Sequence, residues 1–362
     1  MTGNELNVWV FVRIKIIVDS KDKFIAVKKL LLFLVFSPPV LSYNITSRIA
    51  NGSDVSGTRL ANDFSSFGSL FKDNGVTYNG PYCGATFIND QWVMTAAHCF
   101  YGNDNAMLYM RVAYQLRDKS NYLSSTISKP RALEFYYPDN YINSESFGLP
   151  NDIALIKLET SASGASDHSS LFDLSAAGIA LPLDGNYIAI GHGDTEATKT
   201  TNMLQETSMT KTTTTNCNNA FRPNVTDNQL CFTGALSGAY RNGACSGDSG
   251  GPVYRSNGGS FIQVGVTSFG PEGACGVTGG TEITSVYTKI HAYKSWIDSV
   301  MAGSVTPKAY VKTVNGQRQL VKNTQTPAAK SDDGGSLGFI PLLLSLLLIS
   351  YRRFTCGTRK LI

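Results

Sequence analysis

Short runs of β-branched, aliphatic and aromatic residues recur along the chain from Ile49 onward, and clusters of Gly, Asn, Asp and Ser separate them. Runs of this length predict β-strands, and the clusters predict turns. The pattern therefore indicates an all-β domain, with long polar loops over residues 101–150. The clearest predicted strands are residues 85–88, Trp92–Thr95, Ala154–Leu158 and Tyr187–Gly191.

Two further segments of the domain show other patterns. Residues 207–215 are rich in Thr and predict an exposed strand. Near the end of the domain, apolar residues recur at helical spacing and predict a helix that ends near Met301. We expect this helix to dock on the second half of the β domain. Its apolar residues are Ile290, Tyr293, Trp296, Ile297 and Val300.

The chain changes character after Ala302. Residues 303–333 are polar with few large apolar side chains, which predicts a linker. Residues 334–362 begin with Gly-Gly, continue with an apolar run over 337–349 and end in basic residues. As a helix that run would span about 20 Å, which is short of the ~30 Å hydrocarbon core of a bilayer. A retained anchor and a removed tail both stay open.

The N-terminal segment has the features of a secretory signal. Lys28 and Lys29 precede an apolar run over residues 30–36, and a cleavage site is expected near Ser42. The apolar run is too short to span a bilayer. Residues 1–42 therefore predict a signal region with a long charged segment before its apolar part.

Composition is consistent with a secreted globular protein. The chain has 362 residues, of which 42% are hydrophobic and 16% charged, so it can bury a full core. The formal net charge is +4 and the basic residues are scattered, which argues against a nucleic-acid partner. The seven cysteines indicate a disulfide framework with one cysteine left over.

Candidate chemistry centres on the stretch Cys-Ser-Gly-Asp-Ser-Gly-Gly-Pro, in which Ser249 stands among glycines and directly after Asp248. Glycines allow a tight turn that exposes a serine hydroxyl and converges backbone N–H groups. A serine nucleophile also needs a base and a carboxylate. His98, beside Cys99, and Asp152, at the start of an apolar strand, provide both types. Each motif alone is also compatible with a structural turn or cap.

These motifs, in the order His, Asp, Ser, resemble those of the trypsin/chymotrypsin family of serine endopeptidases over residues 49–302. The resemblance implies two packed antiparallel six-stranded β-barrels with a C-terminal helix. It implies that His98 acts as general base and then acid, that Asp152 orients His98 and that Ser249 is the nucleophile. The amides of Gly247 and Ser249 would hold the oxyanion.

The resemblance also implies activation by proteolysis. Residues 43–48 would form a short propeptide, and cleavage after Arg48 would free the amino group of Ile49 to pair with Asp248. A buried charge is tolerated only when it is paired, so the new cation and Asp248 would depend on each other. Ala50 and Asn51 stand where the family has Val-Gly, which departs from its pattern.

Two other features are implied by the same resemblance. The cysteines would pair as Cys83–Cys99, Cys217–Cys231 and Cys245–Cys275, and Cys356 would have no partner. The calcium site common in the family needs acidic ligands, but residues 111–133 contain only Asp118 as an acid, so we expect no metal and no cofactor.

The resembled substrate pocket has no acidic residue at its base. Gly243 takes the base position in place of the aspartate of trypsin-like specificity, and an arginine side chain buried there would be unpaired. We therefore expect uncharged apolar residues at P1, with chymotrypsin-like or elastase-like preference according to pocket depth. Ser268 would also support Asp152. The pocket residues are Gly243, Ala244, Phe221, Ser268, Phe269, Gly270 and Ser285.

The predicted partners follow from these features. They are protein or peptide substrates, an activating trypsin-like protease and an intramembrane protease that processes the tail. The tail resembles the GlyGly-CTERM sorting signal of Gram-negative bacteria, which implies a secreted or cell-surface protein with transient or C-terminal membrane association. Two alternatives are a catalytically silent homologue that binds proteins through the same cleft and a structural envelope protein.

Overall fold

Antiparallel strands joined by short turns make up most of the structure, which is a computed structural model. It describes residues 49–168, 181–193, 201–221, 225–257, 259–271, 275–276 and 282–323. The first-half strands are β1 (Ser53–Asp54), β2 (Phe67–Asp73), β3 (Tyr78–Phe87), β4 (Trp92–Thr95), β5 (Met110–Tyr114), β6 (Ala132–Tyr136) and β7 (Ala154–Leu158). The later strands are β8 (Tyr187–Gly191), β9 (Gln205–Lys211), β10 (Gln229–Thr233), β11 (Leu236–Ser237), β12 (Tyr240–Arg241), β13 (Pro252–Asn257), β14 (Ser260–Phe269), β15 (Ile283–Lys289), β16 (Ala309–Val314) and β17 (Gln317–Lys322).

The first sheet has the order β17-β16-β6-β7-β4-β3-β2-β5, and every pairing in it is antiparallel. Strands β2 to β7 form a six-stranded half-barrel. Backbone hydrogen bonds from Val112 to Pro130 and from Tyr114 to Ser128 bring its two edges together next to β5 and β6.

The second sheet has the order β1-β9-β10-β15-β14-β13-β8, and β9 also pairs with β8. That last pairing closes six strands into a barrel, with β1 added at β9. The predicted fold class, two antiparallel β-barrels of the chymotrypsin type with a C-terminal helix, is confirmed. Strand β9 was expected to be exposed, but it pairs on both sides and buries alternate residues.

Helices are few and short among the described residues. They are α1 (Gly57–Asp63), α2 (Asp104–Tyr109), α3 (Thr214–Ala220) and α4 (Lys294–Met301). Side chains of Ser56, Asn103 and Thr213 accept hydrogen bonds from backbone N–H groups at the starts of the first three. A 3-10 turn over Ile290–Tyr293 leads into α4.

The predicted C-terminal helix is present, but its docking surface is not the predicted one. Its apolar face lies in a buried cluster whose other members come almost entirely from the first sheet and its loops, including Phe100 and Phe135. The expectation that it docks on the second barrel is therefore wrong. The buried residues of this face are Ile290, Tyr293, Ile297 and Val300.

The prediction of a polar linker over 303–333 is wrong for its first part. Strands β16 and β17 form a hairpin, and β16 pairs with β6 through Ala309↔Phe135 and Tyr310↔Glu134. Ala309 and Val311 are buried in the core of the first sheet, while the outer face of the hairpin is polar. The hairpin is thus part of the domain.

Several predicted segments lie outside the described residues. These are the signal region 1–42, the propeptide 43–48 with Arg48, the rest of the linker and the tail 334–362 with Cys356. Among the residues that are described, no helix combines the length and the apolar character needed to cross a membrane.

Candidate active site

A tight turn before β13 presents Ser249. Gly247 and Gly250 have positive φ angles of 95° and 76°, which favour glycine. A Cβ atom at Gly250 would lie 2.1 Å from Thr95 Oγ1 and 2.6 Å from the carbonyl oxygen of Gly84. The Gly84 amide donates to the Ser249 carbonyl at 2.7 Å. The serine turn of the second barrel is therefore packed directly on β3 and β4 of the first sheet.

His98 and Asp152 lie together at the ends of two neighbouring strands, β4 and β7, in the middle of the first sheet. His98 lies in a 3-10 turn after β4, and Asp152 precedes β7, which pairs with β4. His98 Nδ1 lies 2.6 Å from Asp152 Oδ2, and the His98 amide donates to Asp152 Oδ1 at 3.0 Å. A carboxylate only accepts, so Nδ1 carries the proton and Nε2 is left as the basic nitrogen.

The second barrel also holds Asp152. The Ser268 hydroxyl donates to Asp152 Oδ2 at 2.6 Å, and the Thr288 hydroxyl donates to its backbone carbonyl at 2.7 Å. Asp152 is fully buried. Its charge is therefore stabilised by donors from both barrels, which is how a buried carboxylate is tolerated.

The pKa of His98 lies above its ordinary value. Burial lowers the pKa, but the charge of Asp152, the hydrogen bond to Asp152 and the charge of Glu145 outweigh burial. The carboxylates of Asp152 and Glu145 both favour the protonated, imidazolium form of His98, which forms when His98 accepts a proton as a general base. The site thus stabilises a positive charge on His98.

The amides of Gly247 and Ser249 are available for an anion. In the part of the chain that the structure describes, neither donates to another protein group, while the neighbouring Asp248 and Gly250 amides bond to the carbonyls of Cys245 and Thr267. Two free N–H groups in one turn form the type of donor pair that stabilises a tetrahedral oxyanion. The predicted oxyanion residues therefore have suitable geometry.

His98 and Ser249 line one open cleft of about 840 Å³. Its walls come from both barrels and include five of the predicted pocket residues. These are Phe221, Ala244, Ser268, Phe269 and Gly270. The motifs that are far apart in the sequence thus meet at one place, with a space beside them that is large enough for a side chain.

A comparison of the sequence with known families agrees with this geometry. Residues 64–297 match the family named Trypsin. The chain belongs to the trypsin family.

Curated relatives of this trypsin-family chain come from several animals. "CLIP domain-containing serine protease B15" of Anopheles gambiae is 29% identical over 64% of this chain and 65% of its own length. "Trypsin Tyr p 3.0101" of Tyrophagus putrescentiae is 28% identical over 77% of this chain and 93% of its own length. "Serine protease SSP1" of Scolopendra subspinipes is 31% identical over 60% of this chain and 72% of its own length.

The matches to two CLIP-domain proteases of Anopheles gambiae are partial. The chain spans 65% of the length of B15 and 61% of the length of a second relative, "CLIP domain-containing serine protease B4". The family assignment therefore rests on residues 64–297, the part of the chain that matches the Trypsin family.

The base of the trypsin-family pocket differs in detail from the prediction. Gly243 and Ser285 stand behind the lining and do not form it: the Ser285 hydroxyl accepts from the Ala244 amide at 2.8 Å. Thr284, which the sequence did not indicate, lines the cleft in their place. A Cβ atom at Gly243 would lie 2.8 Å from Thr284 Cβ, so this base has no room for a larger residue.

Two other cleft residues were also missed. Glu145 and Leu149 lie in the loop before Asp152 and line the cleft beside His98. Glu145 is the one carboxylate among the described lining residues. The only sequence signal for this loop is its position just before the Asp-Ile-Ala-Leu motif, because its residues have no motif of their own.

Of the residues expected to act in activation, Ile49 and Asp248 are described and Arg48 is not. Ile49 and Asp248 are both 1% exposed, and the Ala50 amide donates to the Gly243 carbonyl at 2.9 Å. The Asp248 carboxylate accepts from the amides of Gly193 and Cys245 at 2.7 and 2.8 Å. The segment after the predicted cleavage point therefore pairs with Gly243 at an isolated bridge.

Three disulfides link the predicted cysteine pairs: Cys83–Cys99, Cys217–Cys231 and Cys245–Cys275. The first ties the His98 turn to β3, and the third joins the serine turn to the opposite wall of the cleft. His98 is also near the sulfurs of Cys83 and Cys99. Because those sulfurs are bonded to each other, they cannot act as thiolate ligands.

Proposed function

We propose that the chain is a serine endopeptidase that cleaves after uncharged, apolar P1 residues. The single observation that supports catalysis best is the Asp152 carboxylate, which is held by Ser268 and bonded to His98 Nδ1 at the edge of the cleft that contains Ser249. This arrangement has the parts that acyl transfer needs, namely a nucleophile, a base, an orienting carboxylate and two free amides.

The proposed reaction has two steps. Ser249 Oγ attacks the scissile carbonyl while His98 Nε2 takes its proton, and the Gly247 and Ser249 amides bind the oxyanion. His98 then gives the proton to the leaving amine, which leaves an acyl-enzyme. Water attacks the ester with His98 again as base, releases the acid and restores Ser249.

The specificity proposal rests on the uncharged base and the aromatic walls. The rings of Phe221 and Phe269 meet edge to face with centroids 5.4 Å apart. Burial of a Leu or Phe side chain against such walls contributes roughly 1.5–3 kcal/mol. An arginine would lose hydration without a carboxylate partner among the described residues of this base.

The pocket base also carries an unused polar atom. Thr284 Oγ1 is buried and has no hydrogen-bond partner in the described part of the chain. Because this oxygen is closed off from the cleft, it offers a P1 side chain no hydrogen bond, and the proposed P1 preference rests on apolar burial.

We also propose activation by cleavage after Arg48 and a secreted or cell-surface location. The buried Ile49, followed by Ala50, whose amide donates to the Gly243 carbonyl, supports this cleavage, and the uncharged pocket base makes a separate trypsin-like protease the better activator. The disulfides support an oxidising, secreted or cell-surface location. The Gram-negative sorting tail, its removal by an intramembrane protease and any membrane association are carried by the sequence motif alone.

Two experiments test the proposal. Peptides that differ only at P1 would be compared by kcat/KM after trypsin activation, and we expect Tyr, Phe, Leu and Met to exceed Arg and Lys. If the Arg or Lys peptide is cleaved about tenfold faster, a carboxylate reaches the pocket and the specificity proposal is wrong.

Labelling tests catalysis separately from specificity. An organophosphonate should label the activated protein, and the label should be absent from Ser249→Ala. Equal labelling of both proteins, or none of either, would support the catalytically silent homologue that binds proteins through the same cleft.

A further inference from the structure

Two neighbouring grooves lie where the C-terminal hairpin joins the first sheet. Their volumes are about 350 and 400 Å³, and Arg131 and Glu159 line both. One groove is completed by Arg111 and the hydroxyls of a loop over residues 160–163, and the other by Tyr109 and the hairpin. The hairpin that the sequence predicted as linker thus forms one side of a continuous polar surface.

Arginines surround these grooves, and most of them already have partners. Arg318 donates to Glu159 at 2.6 Å and to two backbone carbonyls, those of Leu108 and Ala132. Arg111 lies 3.2 Å from Asp73 and donates to the carbonyl of Lys129. These arginines therefore serve the structure of the domain.

Arg131 differs from its neighbours. Its guanidinium has no hydrogen bond and no ion pair to any residue in the described part of the chain. It is half-buried and shares one groove with Arg111 and the other with Arg318. Burial, then the charges of Arg111 and Arg318, lower its pKa, while Glu159 and Asp73 only partly offset them. A half-buried cation that has no ion pair of its own and lies near two other cations would be stabilised by a bound anion.

We propose that Arg131 and the two grooves bind an acidic peptide segment of a protein substrate or partner. A glutamate or aspartate side chain would meet the Arg131 guanidinium in a bidentate pair, and Arg111 and Arg318 would add favourable charge on both sides. This goes beyond the proposed peptidase activity, because the surface does not include the cleft of His98 and Ser249.

The lining favours a peptide over a uniformly sulfated glycan. Glu159 lies in both grooves and would repel a dense polyanion, but it can accept from the backbone amides of a peptide. The hydroxyls of Thr160, Ser161 and Ser163 and the ring of Tyr109 also suit peptide groups. A carboxylate-bearing chain with spaced charges matches these features best.

Direct binding tests this without catalysis. The trypsin-activated protein would be blocked with the organophosphonate and titrated with a fluorescein-labelled peptide of alternating Glu and Gly, and binding would be followed by anisotropy. Binding should weaken as salt rises across the range around physiological ionic strength. Arg131→Ala should weaken it by about fivefold or more, as the loss of a charged pair predicts.

Controls separate this site from general charge. Lys312→Ala removes an exposed charge from the same hairpin and should change the affinity by less than about twofold. Arg131→Gln keeps a polar side chain if the alanine variant fails to fold, and it should show the same loss. Thermal unfolding would verify that each variant is folded.

Several results would overturn the proposal. The first is that the unmodified protein does not bind the Glu/Gly peptide at low salt. The second is that Arg131→Gln binds the peptide as tightly as the unmodified protein does. The third is that Lys312→Ala loses as much affinity as Arg131→Ala. A heparin-type glycan that binds in an Arg131-dependent way while the peptide does not would replace the peptide by a sulfated ligand. Loss of organophosphonate labelling would count against the proposed peptidase and leave this binding result unaffected.

Discussion

The Ser268 hydroxyl donates a 2.6 Å hydrogen bond to Asp152 Oδ2, the same oxygen that lies 2.6 Å from His98 Nδ1. Ser268 belongs to β14 of the second barrel, whereas His98 and Asp152 flank strands of the first sheet. One carboxylate oxygen therefore joins the two barrels. The position of His98 depends on a residue that is more than a hundred positions away from it in the chain.

The first prediction concerns that bond. Ser268→Ala removes a donor from a buried charged acceptor, so kcat/KM should fall by about tenfold with little change in KM. The control is Ser69→Ala, which removes another buried hydroxyl that has no hydrogen-bond partner in the described structure. Full activity of Ser268→Ala would show that Asp152 is positioned without it.

The second prediction concerns the pH profile. The negative charge of Glu145 helps to raise the pKa of His98, and His98 must be neutral to act as a base. Glu145→Gln removes that charge, so the pKa of His98 should fall and the acidic limb of kcat/KM should move to lower pH. Asp104→Asn, outside the cleft, should leave the profile unchanged. A limb that does not move would exclude Glu145 as a cause.

The third prediction concerns the serine turn. Gly250→Ala would place a Cβ 2.1 Å from Thr95 Oγ1, which forces the turn to move. A displacement of this kind costs on the order of 100-fold in kcat. Gly303→Ala shares a positive φ but meets nothing within 4 Å, so it should cost only about 1 kcal/mol of stability and no activity. Similar kinetics for the two variants would contradict the close contact.

The fourth prediction concerns the pocket base. Thr284→Val keeps the shape of the side chain and removes a hydroxyl that is closed off from the cleft, so the ratio of kcat/KM for Tyr and Phe at P1 should change by less than about twofold. Thr86→Val removes a comparable unpartnered hydroxyl from the first sheet and should leave the ratio unchanged. The measurement is the ratio of kcat/KM for two peptides that differ only at P1.

The fifth prediction concerns the hairpin. Val311 is 3% exposed, so Val311→Ala should destabilise the domain by about 2 kcal/mol, which lowers Tm by roughly 4–8 °C. Lys312→Ala, on the exposed face of the same strand, should leave Tm nearly unchanged. A flexible linker would give no difference between the two variants in thermal unfolding.

The strands with strong local patterns were predictable, and those without were not. Strands β4, β7 and β8 have the predicted bounds because their residues are dense in β-branched and apolar side chains. Helix α2 and strand β5 fall in the region predicted as loops. Their local sequence mixes polar and apolar residues, and the place of β5 in the fold comes from its pairing with β2.

The β16–β17 hairpin also lacks a local sequence pattern strong enough to predict it. Only alternate residues at the start of β16 are fully buried. Most of the rest of the hairpin is polar and half-buried or exposed, apart from Leu320, which packs against the core. A segment of that composition has the same local signature as a linker. Pairing with β6, which is far earlier in the sequence, is what makes it ordered structure.

The chemistry of the site follows from local sequence, because its requirements are local. A turn with positive φ needs the glycines around Ser249. The serine, histidine and aspartate can each be recognised from the short motif that surrounds it. Long-range packing alone decided that α4 docks on the first sheet, that Thr284 lines the cleft whereas Gly243 and Ser285 do not, and that Glu145 lies near His98. Such contacts join residues distant in the chain, and local periodicity carries no information about which distant surfaces will meet.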